Sequence, residues 1–152
     1  MMRSILVPLD GSIFGEHAVP LAAGIARKAN AMLHLVHVHQ VVPPATIAGV
    51  AVMDAIDSHM RQDEEAYLAD VLRRLEEGPP VKVKTALLDG EVSESLRLYS
   101  TQNNVDLVVL STHGRGAMGR FWLGSIADHL IREMPTPVLL VRPPEEKADL
   151  TR

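Results

Sequence analysis

The chain has 152 residues, 47% of them hydrophobic, which is enough for one packed domain and too few for two of ordinary size. It contains no cysteine, which excludes disulfide bonds, thiolate metal ligands and a cysteine nucleophile. A net charge of −4 and an aromatic content of 3% argue against nucleic-acid binding, whether by a basic patch or by base stacking.

Membrane and export signals are not visible in the sequence. No run approaches the ~18–20 apolar residues that a membrane helix needs, and the first residues lead directly into a strand pattern without a signal peptide. We therefore expect a cytoplasmic protein without a membrane partner.

The first part of the chain reads as strand, helix, strand. Ser4 to Pro8 is a short apolar strand, Phe14 to Ala29 follows as a helix, and Met32 to His39 alternates as a second strand. Asp10 then lies at the carboxyl end of the first strand, where ligands bind in open α/β sheets. The alternative is that Asp10 only caps the following helix.

Three histidines on the second strand allow a metal hypothesis. His37 and His39 share one face of the strand, whereas His34 lies on the other. No carboxylate stands at ligand spacing within this strand, so nothing in it completes a ligand set. Ordinary polar side chains near the end of the strand are the favoured interpretation.

The segment from 40 to 53 and the helix after it carry no clear chemical signal. A long loop from 40 to 53, broken by prolines, is either a lid or partner-contact segment or a loop packed on the sheet edge. Asp54 to Glu77 is the longest predicted helix, with an apolar stripe that includes Ile56 and Val71. It holds eight of the nineteen acidic residues, and such a regular charged face is typical of a solvated surface.

The remaining elements complete an alternating α/β pattern. They are a third strand from Val81 to Leu88 at an edge, a helix Val92 to Asn103, a fourth strand Leu107 to Leu110, a helix from Ser125 and a fifth strand Val138 to Val141. The order predicts an open five-stranded parallel sheet with helices on both faces. The Asp10 and Gly114 loops meet only if the strand order is 3-2-1-4-5.

The loop after the fourth strand has the composition of a phosphate-binding site. It holds Gly114, Gly116, Gly119 and Gly124, with two arginines, and a helix starts at Ser125. Glycines let backbone N–H groups approach an anion closely, a helix N-terminus adds positive charge, and arginine offers several donors to a phosphate.

Two general phosphate-binding templates fit this loop poorly. Residues 114–119 match G-x-G-x-x-G, but the loop continues past them, and Arg142 stands where the dinucleotide fingerprint needs an acid. The spacing from Gly119 to Gly124 matches a P-loop, but Ser125 follows Gly124 directly, without the lysine that contacts the phosphates.

A third template is specific to one family. Ser111-Thr112-His113-Gly114, nine residues and then Gly124-Ser125 resemble the G-x-x-G-x(9)-G-[S/T] signature of the universal stress protein family, with Ser111 in place of the first glycine. Residues 5–12, 36–38 and 136–141 match other landmarks of that family in order. The resemblance implies a Rossmann-like fold of the adenine nucleotide alpha hydrolase-like kind, with residues 1–143 as one domain and 144–152 as a flexible tail.

The resemblance also implies a nucleotide site. Asp10 and Ser111 would contact the ribose, Pro8 and Leu9 would flank the base, and Val38 would contact the adenine. Together with the glycine loop it assigns the phosphates to Gly114, Arg115, Gly124, Ser125 and the amide of Ile126.

The function expected from this resemblance is a regulatory one. We expect an ATP-binding stress-response protein, with Mg²⁺ or Mn²⁺ as an accompanying ion, that forms a homodimer through its last strand. His113 adjoins the loop, but no relay completes it, so hydrolysis should be slow at most. The alternatives are a weak ATPase or nucleotidyl-transfer enzyme on the same fold, and a stress interaction protein that binds no nucleotide; AMP or a cyclic nucleotide also remains open as the ligand.

Overall fold

The computed structural model describes residues 1–41, 49–112 and 125–143. These residues form five strands and five helices in the order β1 Ser4–Leu9, α1 Ile13–Glu16, α2 Ala18–Ala29, β2 Met32–His39, α3 Val50–Glu76, β3 Lys82–Asp89, α4 Val92–Gln102, β4 Leu107–Ser111, α5 Ser125–Glu133 and β5 Val138–Val141. The tail 144–152 lies outside the described residues.

The five strands form one parallel sheet in the order β3-β2-β1-β4-β5. Ser4 of β1 pairs with Met32 of β2, which in turn pairs with Lys82 of β3. On the other side, Ile5 pairs with Leu107 of β4. The predicted fold and strand order are therefore confirmed, and the order reverses between β1 and β4.

The hydrophobic core lies in two layers, one on each face of the sheet. Successive residues of β1 point to opposite faces, so Ile5 packs with Leu35 and with apolar residues of α2 and α3, whereas Leu6 packs with Leu96 of α4 and Leu130 of α5. A strand buried on both faces needs an almost continuous apolar sequence, and this explains why the central strands were easy to predict.

The predicted helix from Phe14 to Ala29 is in fact two helices, divided at His17. Pro20 accounts for the division, because it has no N–H to donate to the carbonyl of Glu16 and its ring would collide with that carbonyl. The short helix α1 has its own cap, since the amide of Gly15 donates to Oγ of Ser12 at 3.3 Å.

The long helix α3 also differs from the prediction at its start and in its apolar stripe. It begins at Val50, so the last residues of the predicted loop are helical, while residues 42–48 of that loop lie outside the described residues. Ile56 is 44% exposed, and the buried residues of the helix are Leu68 and Val71. Only the second half of α3 therefore packs into the core.

No described helix combines the length and hydropathy that a bilayer-spanning segment requires.

Leu35 of β2 provides a test of this core assignment. Leu35 is fully buried, so Leu35→Ala removes apolar contacts and leaves a cavity, and we expect the free energy of unfolding to fall by about 2–5 kcal/mol in urea denaturation. Leu98→Ala is the control, because Leu98 is 45% exposed on α4 and its replacement should change stability by less than about 0.5 kcal/mol. Equal effects of the two substitutions would contradict the assignment of the core.

Candidate functional site

A cavity of about 500 Å³ opens at the carboxyl edge of the sheet, where the strand order reverses. Its floor consists of strand ends and its sides of helices. The lining residues are Pro8, Leu9, Asp10, Phe14, Gly15, Val36, His37, Val38, Gln40, Met60, Glu64, Val92, Leu96, Leu110, Ser111, Ala127 and Leu130. Most of these side chains are apolar, and the few polar groups come from β1, β2, β4 and α3.

Half of the residues predicted for the site meet in this cavity. Pro8, Leu9, Asp10, Val38 and Ser111 all line it, although they come from three separate strands or strand ends. The other predicted residues cannot be placed in the same way. Gly114, Arg115 and Gly124 lie outside the described residues, and Ser125 and Ile126 begin α5 without a description of their side chains.

Asp10 is held in place by the start of helix α1. Its Oδ1 accepts hydrogen bonds from the amide of Ser12 at 2.9 Å and from the hydroxyl of Ser12 at 2.6 Å. The helix cap is therefore Ser12, and Asp10 orients that cap instead of forming it. Gly11 makes the turn between strand and helix with φ +85°, a conformation that suits glycine.

Gly15 allows Asp10 to occupy this position. A Cβ atom at residue 15 would lie 2.9 Å from Oδ1 of Asp10, too close for two atoms that are not bonded. Sequence reasoning missed Gly15, because a single glycine in a short helix gives no local sign that a carboxylate packs against it.

A buried charged cluster lies beside the cavity, at the end of β2. The side chain of His39 is fully buried. Its Nδ1 is 2.6 Å from Oε2 of Glu64, and its Nε2 is 2.7 Å from Oδ1 of Asp57. Carboxylates accept hydrogen bonds, so the imidazole satisfies both only when both ring nitrogens carry protons.

The two carboxylates shift the titration of His39. Burial by itself lowers the pKa of the His39 imidazole, but the hydrogen bonds to Asp57 and Glu64, together with the charge of Glu64, outweigh it and raise the pKa above its ordinary value. In return, the hydrogen bonds from His39 and Arg61 lower the pKa of Asp57.

The cluster extends to the edge strand and to the cavity. Arg61 donates to Oδ2 of Asp57 at 3.0 Å and contacts Oδ1 of Asp89, the last residue of β3, at 2.5 Å. His37 lines the cavity; its Nδ1 donates to the carbonyl of Leu9 at 2.7 Å, and its Nε2 lies 3.3 Å from Oε1 of Glu64.

The prediction that the acidic face of α3 is only solvated is therefore wrong at two positions. Asp57 and Glu64 bind a histidine that lies 18 and 25 residues earlier in the chain. No local spacing marks this partner, although His39 on a core strand followed by an acid-rich helix is a signal that could have raised the possibility.

The third histidine of β2 belongs to a separate network. His34 lies within 3.0 Å of Oγ of Ser4 and within 2.9 Å of the hydroxyl of Tyr99, on the opposite face of the sheet. Burial, reinforced by the charge of Lys84, lowers the pKa of His34 and so favours the neutral ring. Within the described ranges, no group of three or more His, Cys, Asp or Glu side chains could hold a metal ion.

Comparison with known proteins identifies a matching family, similar sequences and similar structures. The model of the universal stress protein family matches residues 1–142. A universal stress protein from Thermus aquaticus is 30% identical over 142 residues, covering 93% of this chain and 100% of the relative.

Three solved structures share the fold. The hypothetical protein MJ0577 aligns with a TM-score of 0.79 at 21% identity, covering 95% of this chain and 99% of the other. A universal stress protein in complex with cAMP aligns with a TM-score of 0.65 at 21% identity, covering 93% and 97%. A family protein from Arabidopsis thaliana with AMP bound aligns with a TM-score of 0.65 at 12% identity, covering 98% and 97%.

Asp57 should make the stability of the chain sensitive to acid. Because its pKa is lower in the folded state than the ordinary 3.8, the ionised carboxylate contributes stability above that value and loses it as the pH falls through the folded pKa. We expect Asp57→Asn to reduce the slope of the free energy of unfolding against pH between about pH 5 and pH 2. Urea denaturation at stepped pH measures this slope.

The matched control for this slope is Asp63→Asn. Asp63 is 71% exposed and lies 3.6 Å from the exposed His59 on the same helix. Since exposed pairs of this kind contribute little to stability, the control should keep the slope of the wild type. An unchanged slope in Asp57→Asn would contradict the buried cluster.

Proposed function

This chain belongs to the universal stress protein family, and on that basis we propose that it is a regulatory protein that binds ATP in the cavity at the carboxyl edge of its sheet. The convergence of five predicted residues on one cavity carries this proposal. Its volume of about 500 Å³ is also within the ~300–1,000 Å³ usual for small-molecule sites.

The cavity offers separate contacts for the adenine and for the ribose of a nucleoside. The side chains of Leu9, Val36 and Val38 are almost fully buried and give an apolar wall for an adenine ring. Asp10 follows the end of β1. Its Oδ1 accepts hydrogen bonds from Ser12, and we expect its Oδ2 to accept one from a ribose hydroxyl. Ser111, at the end of β4, is the other proposed ribose contact.

The phosphates would extend from β4 towards the start of α5. Gly114, Arg115 and Gly124 belong to the segment between these two elements, and Ser125 and Ile126 are the first residues of α5. The N-terminus of a helix attracts anions because its first amides have no partner within the helix. Several glycines and two arginines in this segment favour a ligand with several phosphates.

The known relatives support an adenine nucleotide in general terms. One solved structure with this fold contains cAMP and another contains AMP. We propose ATP for this chain because of the glycine and arginine content of the loop, with Mg²⁺ or Mn²⁺ bound through the phosphates.

A binding role is favoured over catalysis. The titratable groups that line the described part of the cavity are Asp10, His37 and Glu64, and each already has a partner in the protein. We assign Asp10 to the ribose, and His37 and Glu64 are bound to the Leu9 carbonyl and to His39, so these assignments include no general base. Slow hydrolysis at most is therefore expected.

The edge strand β5 is the proposed dimer contact. Its four residues are Val138 to Val141, Leu140 is 38% exposed, and none of the four is charged. An apolar edge strand with unpaired backbone groups tends to pair with another strand, and a second copy of β5 would satisfy both edges symmetrically.

Ligand binding can be tested with a pair of glycine variants. We expect ATP with Mg²⁺ to raise the melting temperature of the wild type, because a ligand that binds only the folded state stabilises it. Gly15→Ala should displace the carboxylate of Asp10 and weaken ATP binding about tenfold, the equivalent of one hydrogen bond to a charged group. Calorimetric titration measures the affinity.

Gly24→Ala is the matched control for Gly15→Ala. A Cβ atom at residue 24 of α2 would have no neighbour closer than 4.0 Å, so ATP affinity should equal that of the wild type. Two results would count against the proposal: no melting shift with saturating ATP, AMP or cAMP, or unchanged affinity in Gly15→Ala. Robust turnover that disappears in His113→Ala would instead favour the enzyme alternative.

The dimer can be tested at the exposed leucine of β5. We expect light scattering after gel filtration to give about twice the chain mass of 16.6 kDa for the wild type. Leu140→Lys introduces a charge at the edge and should give the monomer mass, whereas Leu98→Lys, at a somewhat more exposed position on α4, should leave the dimer intact. A monomeric wild type would rule out this assembly.

A further inference from the structure

The first half of α3 forms one side of the cavity but has little apolar contact with the other described residues. Met60 and Glu64 line the cavity. The buried residues of the helix, Leu68 and Val71, both lie further along, and no residue from 50 to 66 belongs to either core cluster. Within the described part of the chain, the contacts that hold this part of the helix therefore lie outside the hydrophobic core.

The polar cluster around His39 supplies that attachment. The imidazole is fully buried and joins Glu64 at 2.6 Å and Asp57 at 2.7 Å, two residues almost two turns apart on α3. One side chain of β2 thus holds two points of the helix, on the part that borders the cavity.

Other charged groups surround this cluster from each neighbouring element. Arg61 of α3 contacts Asp57, and it also contacts Asp89 at the end of β3. His37 of β2 lies 3.3 Å from the second oxygen of Glu64. Arg61 keeps its charge at all relevant pH values, so within this cluster the pH effect is assigned to the imidazole of His39.

We propose that His39, as an imidazolium, is a positioning residue that holds the first half of α3 against the cavity, so that ligand affinity falls when His39 loses its proton. This inference rests on the proposed function, because it concerns binding in the same cavity. His39 does not line the cavity itself and acts through Glu64 and its helix.

The effect follows from the number of protons on the ring. Neutral imidazole has a single N–H, so one nitrogen would present a lone pair to a carboxylate at less than 3 Å. The side chains of Asp57 and Glu64 are 30% and 18% exposed, so a carboxylate that faces a lone pair instead of an N–H moves away from the ring towards water. The helix segment that carries Asp57 and Glu64 then separates from β2, and the cavity loses the side formed by Met60 and Glu64.

The direction of the pH effect is fixed by the two carboxylates. They raise the pKa of His39 above its ordinary 6.5, so the attachment is complete below that value and is lost as the pH rises through the folded pKa. Tight ligand binding below pH 6.5 and weaker binding above the folded pKa of His39 are the consequence.

The decisive comparison is between the wild type and His39→Gln from pH 6 to pH 9.5. We expect the ATP affinity of the wild type to fall about tenfold or more over this range, and that of His39→Gln to be low at every pH, so that their ratio approaches one in alkali. Titration of the ATP phosphates is common to both proteins and cancels in the ratio. Calorimetric titration provides the affinities.

Hydrogen exchange of the ligand-free wild type gives a second, independent readout. Protection factors of the amides from 50 to 66 should fall as the pH rises, while those of the buried strand β2 should not. This measurement does not depend on whether His39→Gln folds or whether ATP binds.

His59→Gln is the matched control, because His59 is 76% exposed and pairs with Asp63 on the same helix. It should show the pH profile of the wild type in both measurements. The inference is overturned if protection of residues 50–66 is independent of pH, or if His39→Gln binds ATP with the pH profile of the wild type. Absence of ATP binding at every pH would refute the proposed function instead, and exchange would then decide the role of His39.

Discussion

The parallel pairing of β1 with β4 is the constraint on which the arrangement of this molecule depends. Ile5 and Leu6 lie in register with Leu107 and Val108, residues from the far end of the chain. From this pair the strand order runs outward in both directions. The loops that follow β1 and β4 must leave the same edge of the sheet side by side, and the cavity exists because helices on opposite faces diverge there.

Apolar packing holds one part of the cavity in place, and charged contacts hold another. Apolar residues on both faces of the sheet pack the strands against the helices α2, α4 and α5, so the floor is largely buried. The side formed by α3 is different, because it is attached through His39, Asp57 and Glu64. A hydrophobic contact is insensitive to pH, whereas this attachment depends on a proton. The packing of the floor is therefore insensitive to pH, whereas the position of the α3 side depends on the protonation of His39.

Family membership and site chemistry contribute different parts of the functional argument. The match over residues 1–142 establishes the family, and structural similarity at 21% or 12% identity establishes only a common fold. A fold supports many functions, so the proposal of ATP binding depends on which side chains face the cavity. Asp10, oriented by Ser12 and accommodated by Gly15, is the most specific of these features.

The sequence by itself determined the order of the elements, the strand order, the family and the position of Asp10 at a strand end. The order of the elements, the family and the position of Asp10 follow from apolar runs, turn residues and the glycine spacing, which are local features of the chain. The strand order followed instead from the requirement that the Asp10 and Gly114 loops meet. The division of the first helix was harder to predict, because a single bent helix can tolerate Pro20 near its start. Only the tertiary structure decided that Gly15 packs against Asp10 and that His39 joins two carboxylates of α3. The physical reason is that the spacing of apolar residues in the sequence indicates which face of a helix or strand is buried. A close packing contact or an ion pair depends instead on distances between atoms of separate elements.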